Sequence, residues 1–128
     1  MHLNEFMKSY AEEIKGNYSE YDDERSVIIV PLKDDRFQAV IAEVAEKEQR
    51  INISSKVCDS EENLDIKELL MENHKYPYCK FTLANGFLKV ESVFNTKIFN
   101  EELLKKVILD VANLADEWEF KITGKDIF

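Results

Sequence analysis

Cys79 and His74 stand five positions apart, and a thiol beside an imidazole is the pairing that nucleophilic catalysis uses. To act together they would need a helix end carrying His74 and a following strand carrying Cys79 to converge. The alternative is a strand cysteine beside an exposed helical histidine, and no local catalytic signature surrounds either residue. A metal centre would have to recruit Cys58, His74 and Cys79, none of which has the short ligand spacing of a zinc site. His2 adjoins the chain start and adds nothing. Two cysteines in a regular sequence make no disulfide framework, so Cys58 and Cys79 read as reduced, small apolar side chains.

Acidic doublets recur at Glu12-Glu13, Asp22-Asp23, Asp34-Asp35, Glu61-Glu62 and Glu101-Glu102. Paired carboxylates can exchange protons with a substrate, yet these pairs fall in loops and helix starts, where water or the helix dipole accounts for them. None has the spacing of a calcium loop. Gly16, Gly86 and Gly124 are far apart, which excludes a glycine-rich phosphate loop. These residues call for no cofactor and no enzymatic mechanism.

Charge sets the next limits. With 26 acidic against 17 basic residues, the net charge is -9. Phosphate backbones and anionic lipid need a positive surface, so neither nucleic acid nor membrane is an expected partner. A basic protein segment would be steered toward this chain. No stretch approaches the roughly 18 apolar residues of a membrane span, and Met1-His2-Leu3-Asn4-Glu5 lacks the basic start of a secretory signal. The cytoplasm is the expected compartment. A chain of 128 residues, 45% hydrophobic and 34% charged, is expected to fold as one domain over residues 1–128.

The elements follow from periodicity. Leu3, Phe6, Met7, Tyr10, Ala11 and Ile14 form one helical stripe ending near Lys15 and Gly16. A polar segment follows, with Tyr18 and Tyr21 in an acidic stretch. Val27 to Val30 is a β-branched run bounded by Pro31, a strand over Ser26 to Leu32. Arg36 to Ala45 fits two templates: Phe37, Val40, Ile41 and Val44 have helical spacing, while the same stretch reads as a strand apolar on both faces. Its length and neighbours favour the strand, with a turn into alternating Ile51, Ile53, Ser55 and Val57.

Asp65 and Glu68 have the spacing of a capping box, with Leu64 and Leu69 as a staple, predicting a helix to about His74. Asn85-Gly86 between Tyr78 to Leu83 and Phe87 to Phe94 predicts a hairpin. A last helix starts at Asn100 and puts Leu104, Val107, Ile108, Val111, Leu114, Ala115 and Trp118 on one face. The tail, with Phe120, Ile122, Ile127 and Phe128, either adds an edge strand or covers an apolar surface. The order is α-βββ-α-ββ-α, an α+β class with a single antiparallel sheet and helices packed against it. Tyr76, Tyr78, Phe81, Phe87 and Phe94 gather around one hairpin, where they serve either the core or a partner surface.

This order, the acidic charge and the amphipathic last helix resemble the type III secretion chaperone-like fold, which includes the Tir chaperone family and the related YbjN-like bacterial domains. The resemblance is carried by Ile53-Ser54-Ser55-Lys56-Val57, Glu68-Leu69-Leu70-Met71-Glu72-Asn73, Tyr76-Pro77-Tyr78-Cys79-Lys80-Phe81-Thr82-Leu83 and Val111-Ala112-Asn113-Leu114-Ala115-Asp116-Glu117-Trp118. It implies a cytoplasmic homodimer that binds an extended segment of a client protein without ATP. It further implies client grooves at Phe6, Tyr10, Val40, Ala42 and Val44, and a dimer contact at Leu70, Met71, Tyr78 and Phe87. A competing reading makes the chain an acidic regulatory or immunity-type inhibitor of a basic partner, separable by salt dependence.

Overall fold

The computed structural model describes residues 2–98, 100–125 and 128. Met1 at the start and Ile127 in the tail lie outside the described residues. Helix α1 (Leu3–Glu13) leads into strands β1 (Asn17–Asp22), β2 (Arg25–Pro31), β3 (Phe37–Ala45) and β4 (Arg50–Asp59). Helix α2 (Ile66–Glu72), the hairpin strands β5 (Lys80–Ala84) and β6 (Phe87–Asn95), and the long helix α3 (Glu101–Thr123) complete the chain. The six strands form one antiparallel sheet in the order β1-β2-β3-β4-β6-β5.

The α+β class and the single sheet are those the sequence implies, and the polar stretch before Ser26 contributes one strand more. In β1 only Tyr18 is partly buried, so no alternation of apolar residues marks it. It forms because the edge of β2 offers a free ladder, pairing Tyr18 with Ile28 and Ser19 with Val27.

The ambiguous stretch is a strand. Gln38, Val40, Ala42 and Val44 alternate into the core, and their register against β2 fixes the face: Val40 opposes Ile28 and Ala42 opposes Ser26. The hairpin turn is as predicted, with Asn85 at φ 54° and Gly86 at φ 82°, the mirror-image turn that matches strand twist.

The helices lie on one sheet face. α1 packs on β1, β2 and β3, while α3 crosses β3, β4 and β6. Leu3, Met7, Ile28, Val40, Ile53, Val90, Leu104, Ile108 and Val111 are buried between them. Trp118 meets Phe81 edge-on at 5.2 Å, tying α3 to β5. Both helix starts are capped as expected: Asp65 Oδ1 accepts from Glu68 N at 3.0 Å, and Asn100 Oδ1 from Leu103 N at 3.1 Å.

Gly16 turns the chain from α1 into β1 against β2. A Cβ there would sit 2.6 Å from the carbonyl oxygen of Ile29. Gly16→Ala is therefore expected to cost about 1–3 kcal/mol, as overpacking against backbone does; an unchanged urea midpoint would contradict the close approach.

Candidate partner-binding surfaces

The first surface is a groove of about 500 Å³ between α1 and the start of α3, lined by Phe6 and Tyr10 with Glu5, Glu13, Glu101 and Lys105 around it. The two rings stack at 5.8 Å because positions 6 and 10 share a helix face. Lys105 donates to Glu13 Oε1 at 3.0 Å and lies 5.8 Å from the Tyr10 ring centroid. Its hydrogen bond to Glu13 holds the Lys105 ammonium above its ordinary pKa. Burial, then Glu13 and Glu102, pushes the Tyr10 hydroxyl up. The groove combines apolar walls with a mostly acidic rim.

Val40, Ala42 and Val44 do not reach this groove. They lie in the core under the helices and do not line it, whereas Phe6 and Tyr10 do line it although both are largely buried, at 8% and 3% exposure. The structure thus separates the five residues expected to face a client: Phe6 and Tyr10 line the groove, and the three strand residues support the helices that form it. Lys105 and Glu101, which complete the groove from α3, were not among the expected residues. Their sequence signal was only that of a charged helix start.

The second surface is at the end of the sheet. Leu70 and Met71 stand out from α2 with 65% and 63% exposure. Leu70 joins Ile66 and Leu83 around a shallow apolar hollow at β5, an open patch of the kind that marks partner sites. Tyr78, also exposed, lies instead beside α3, in a hollow with Tyr76, Pro77, Asp110 and Glu117. Phe87 is on the opposite sheet face, half-buried, with Lys56 Nζ 4.1 Å from its ring. Of the four residues expected at a dimer contact, Leu70 and Met71 share a helix, while Tyr78 and Phe87 lie apart from them. Ile66 and Leu83 were missed; each is an apolar residue at an element's exposed position, which periodicity assigns to no face.

The sheet edges differ. At β5, the Asn73 side chain occupies both backbone groups of Phe81: Phe81 N donates to Oδ1 at 2.6 Å and Nδ2 donates to the Phe81 carbonyl at 3.3 Å. An amide standing in for a neighbouring strand protects that edge from pairing. Lys80 further ties the turn by donating to the carbonyls of Asn73 and Tyr76. The β1 edge carries Glu20 and Asp22 and is exposed over most of its length.

His74 is exposed in the turn after α2, while Cys79 is 2% exposed. Burial, reinforced by Asp110, pushes the Cys79 thiol up to about 11, and burial with Glu62 and Asp59 does the same for Cys58. At neutral pH only about one thiol in ten thousand is then ionised, far too few for a nucleophile. Iodoacetamide labelling of the folded protein should keep rising from pH 8 to 11; a plateau near the ordinary thiol pKa of about 8.5 would contradict this burial. An unfolded thiol ionises near 8.5 and a folded one near 11, so stability declines as pH rises through that window. Tyr18, pushed up to about 12 chiefly by burial, acts in the same direction at higher pH.

Among the described residues no helix is long and apolar enough to cross a membrane, and no group of three side chains is placed to hold a metal ion. No family model and no curated protein matches the sequence. Solved structures do match. A chain from the ExsC-ExsE complex superposes with a TM-score of 0.69 at 12% identity, over 94% of this chain and 92% of that one. A chain from the HopA1-SchA chaperone-effector complex superposes at 0.60, also at 12% identity, over 96% and 97%. The fold is that of the type III secretion chaperones. At such identity the chaperone fold is shared through burial pattern and topology, with side chains replaced almost throughout.

Proposed function

We propose that this chain is a non-enzymatic, cytoplasmic, homodimeric protein-binding module that holds an extended segment of a client protein without ATP. The observation that carries this reading is the near-complete superposition on a chain of a chaperone-effector complex. The exposed Leu70, Met71, Ile66 and Leu83 support it from the chain itself, since apolar area left open at one end of a sheet is what a second copy would cover. In this arrangement Leu70 and Met71 carry the dimer contact, with Tyr78 and Phe87 outside its centre. The client's apolar side chains rest on the Phe6 and Tyr10 groove, over the support of Val40, Ala42 and Val44. Its backbone adds to the exposed β1 edge.

The test is hydrogen exchange on a client captured from the native host. The expected result is a client segment that stays extended, its amides protected only where they touch this chain, in buffer without nucleotide. A client that remains folded throughout would overturn the reading in favour of an acidic inhibitor of a compact basic protein.

A further inference from the structure

The β3–β4 ladder runs only from Ala45 opposite Arg50 to Ile41 opposite Ser54. Beyond it, β4 carries an irregularity between Lys56 and Cys58, and the two strands part. Side chains bridge the opening. Gln38, fully buried, donates from Nε2 to Ser55 Oγ at 2.8 Å and to the Lys56 carbonyl at 2.7 Å, while Ser55 Oγ donates to the Ala39 carbonyl at 2.6 Å. Ala39 N, a backbone donor on that side of β3, is taken by the carbonyl oxygen of Phe128 at 2.8 Å.

Phe128 is held at both ends of its backbone. Its own N–H donates at 3.1 Å to Oε2 of Glu119, a carboxylate on α3 that is 1% exposed. Its ring meets Phe87 edge-on at 5.9 Å, with Lys56 Nζ 6.0 Å from its centroid. One residue thus pairs with β3 as a strand would, has its N–H read by a buried acceptor, and places an aromatic ring against a ring and a cation. The backbone pairing with β3 and the ring packing on Phe87 together fit the opening to an extended aromatic residue.

We propose that the opening between β3 and β4 is a docking slot for an aromatic residue in an extended segment. Phe128 fills it in cis, so that a client segment and this chain's own Phe128 compete for it. The geometry stands alone; its use in client handling rests on the reading above. A tethered competitor acts at an effective concentration on the order of millimolar, enough to exclude weak segments and admit stronger ones.

The test uses the full chain and the probe acetyl-Lys-Asp-Ile-Phe-amide, a copy of residues 125–128. Phe128→Pro removes both the ring that meets Phe87 and the N–H that Glu119 accepts, and so frees the slot. Titration followed by amide NMR should show the probe binding this variant at the Ala39 and Lys56 amides, at least tenfold more tightly than it binds the wild-type chain. The Ala-ended probe should not bind. Phe128→Ala, which frees the ring's position against Phe87, supports the same comparison if the Pro variant fails to fold. Equal binding to variant and wild type, or no shift at Ala39 in a folded variant, would overturn the proposal. The experiment contains no client, so its failure is distinct from failure of the chaperone reading.

Discussion

If the chain pairs through α2 as proposed, Leu70→Asp is expected to leave it monomeric. The leucine is 65% exposed in the single chain, and covering such a side chain contributes about 2 kcal/mol. A two-fold interface contains it twice, so the loss is about 4 kcal/mol, roughly a thousandfold in the dissociation constant. The carboxylate left at the contact adds to this. Because the position is exposed in the monomer, the thermal stability of the dissociated chain should change by well under 1 kcal/mol. Analytical ultracentrifugation across a concentration series reads the first effect and dilute thermal melts the second. A variant that dimerises as tightly as wild type would place the interface elsewhere.

Arg36→Met should cost more folding stability than Gly16→Ala or Leu70→Asp. Arg36 Nε donates to Asp116 Oδ2 at 2.9 Å, and the Asp116 side chain is only 6% exposed. Removing the guanidinium strands that carboxylate against the core, a change that costs 3–5 kcal/mol in buried pairs. Arg36 is itself 27% exposed, so water relieves part of the cost and about 3 kcal/mol is expected. For a chain of this size that lowers the melting temperature by roughly 10 °C. The loss of its position over the Phe120 ring, 5.5 Å away, adds a smaller amount. The double variant Arg36→Met with Asp116→Leu should recover most of the loss, because no buried charge is then left alone. If the single variant melts within 2 °C of wild type, Asp116 is solvated better than its burial indicates.

How much of this was legible in the sequence depended on what each residue had to satisfy. Positions that decide local conformation declared themselves: Asn85-Gly86 adopts the positive φ values that its residue types permit, and Asp65 and Asn100 cap where their side chains reach the first free N–H groups. The stripe on α3 was readable because one face must be apolar over its whole length. Strand β1 was not, since an edge strand with one side chain on the core needs little hydrophobicity and is held by backbone bonds that every residue type can make. The candidate surfaces were half legible. Phe6, Tyr10, Leu70 and Met71 are on them, yet apolar residues that line a groove and those that support it obey the same periodicity, and only tertiary packing separates Phe6 from Val40. The Phe128 slot depends on contacts across 89 residues, Ala39 to Phe128, and no local pattern encodes it.

Native mass spectrometry of the complex isolated from the host bears most directly on whether this chain holds an extended client as a dimer. The account predicts two copies of the chain with one larger client, stable in the absence of nucleotide and little affected by raising the salt before spraying. One copy bound to one compact basic protein, with an association rate that falls steeply as salt is raised, would contradict it.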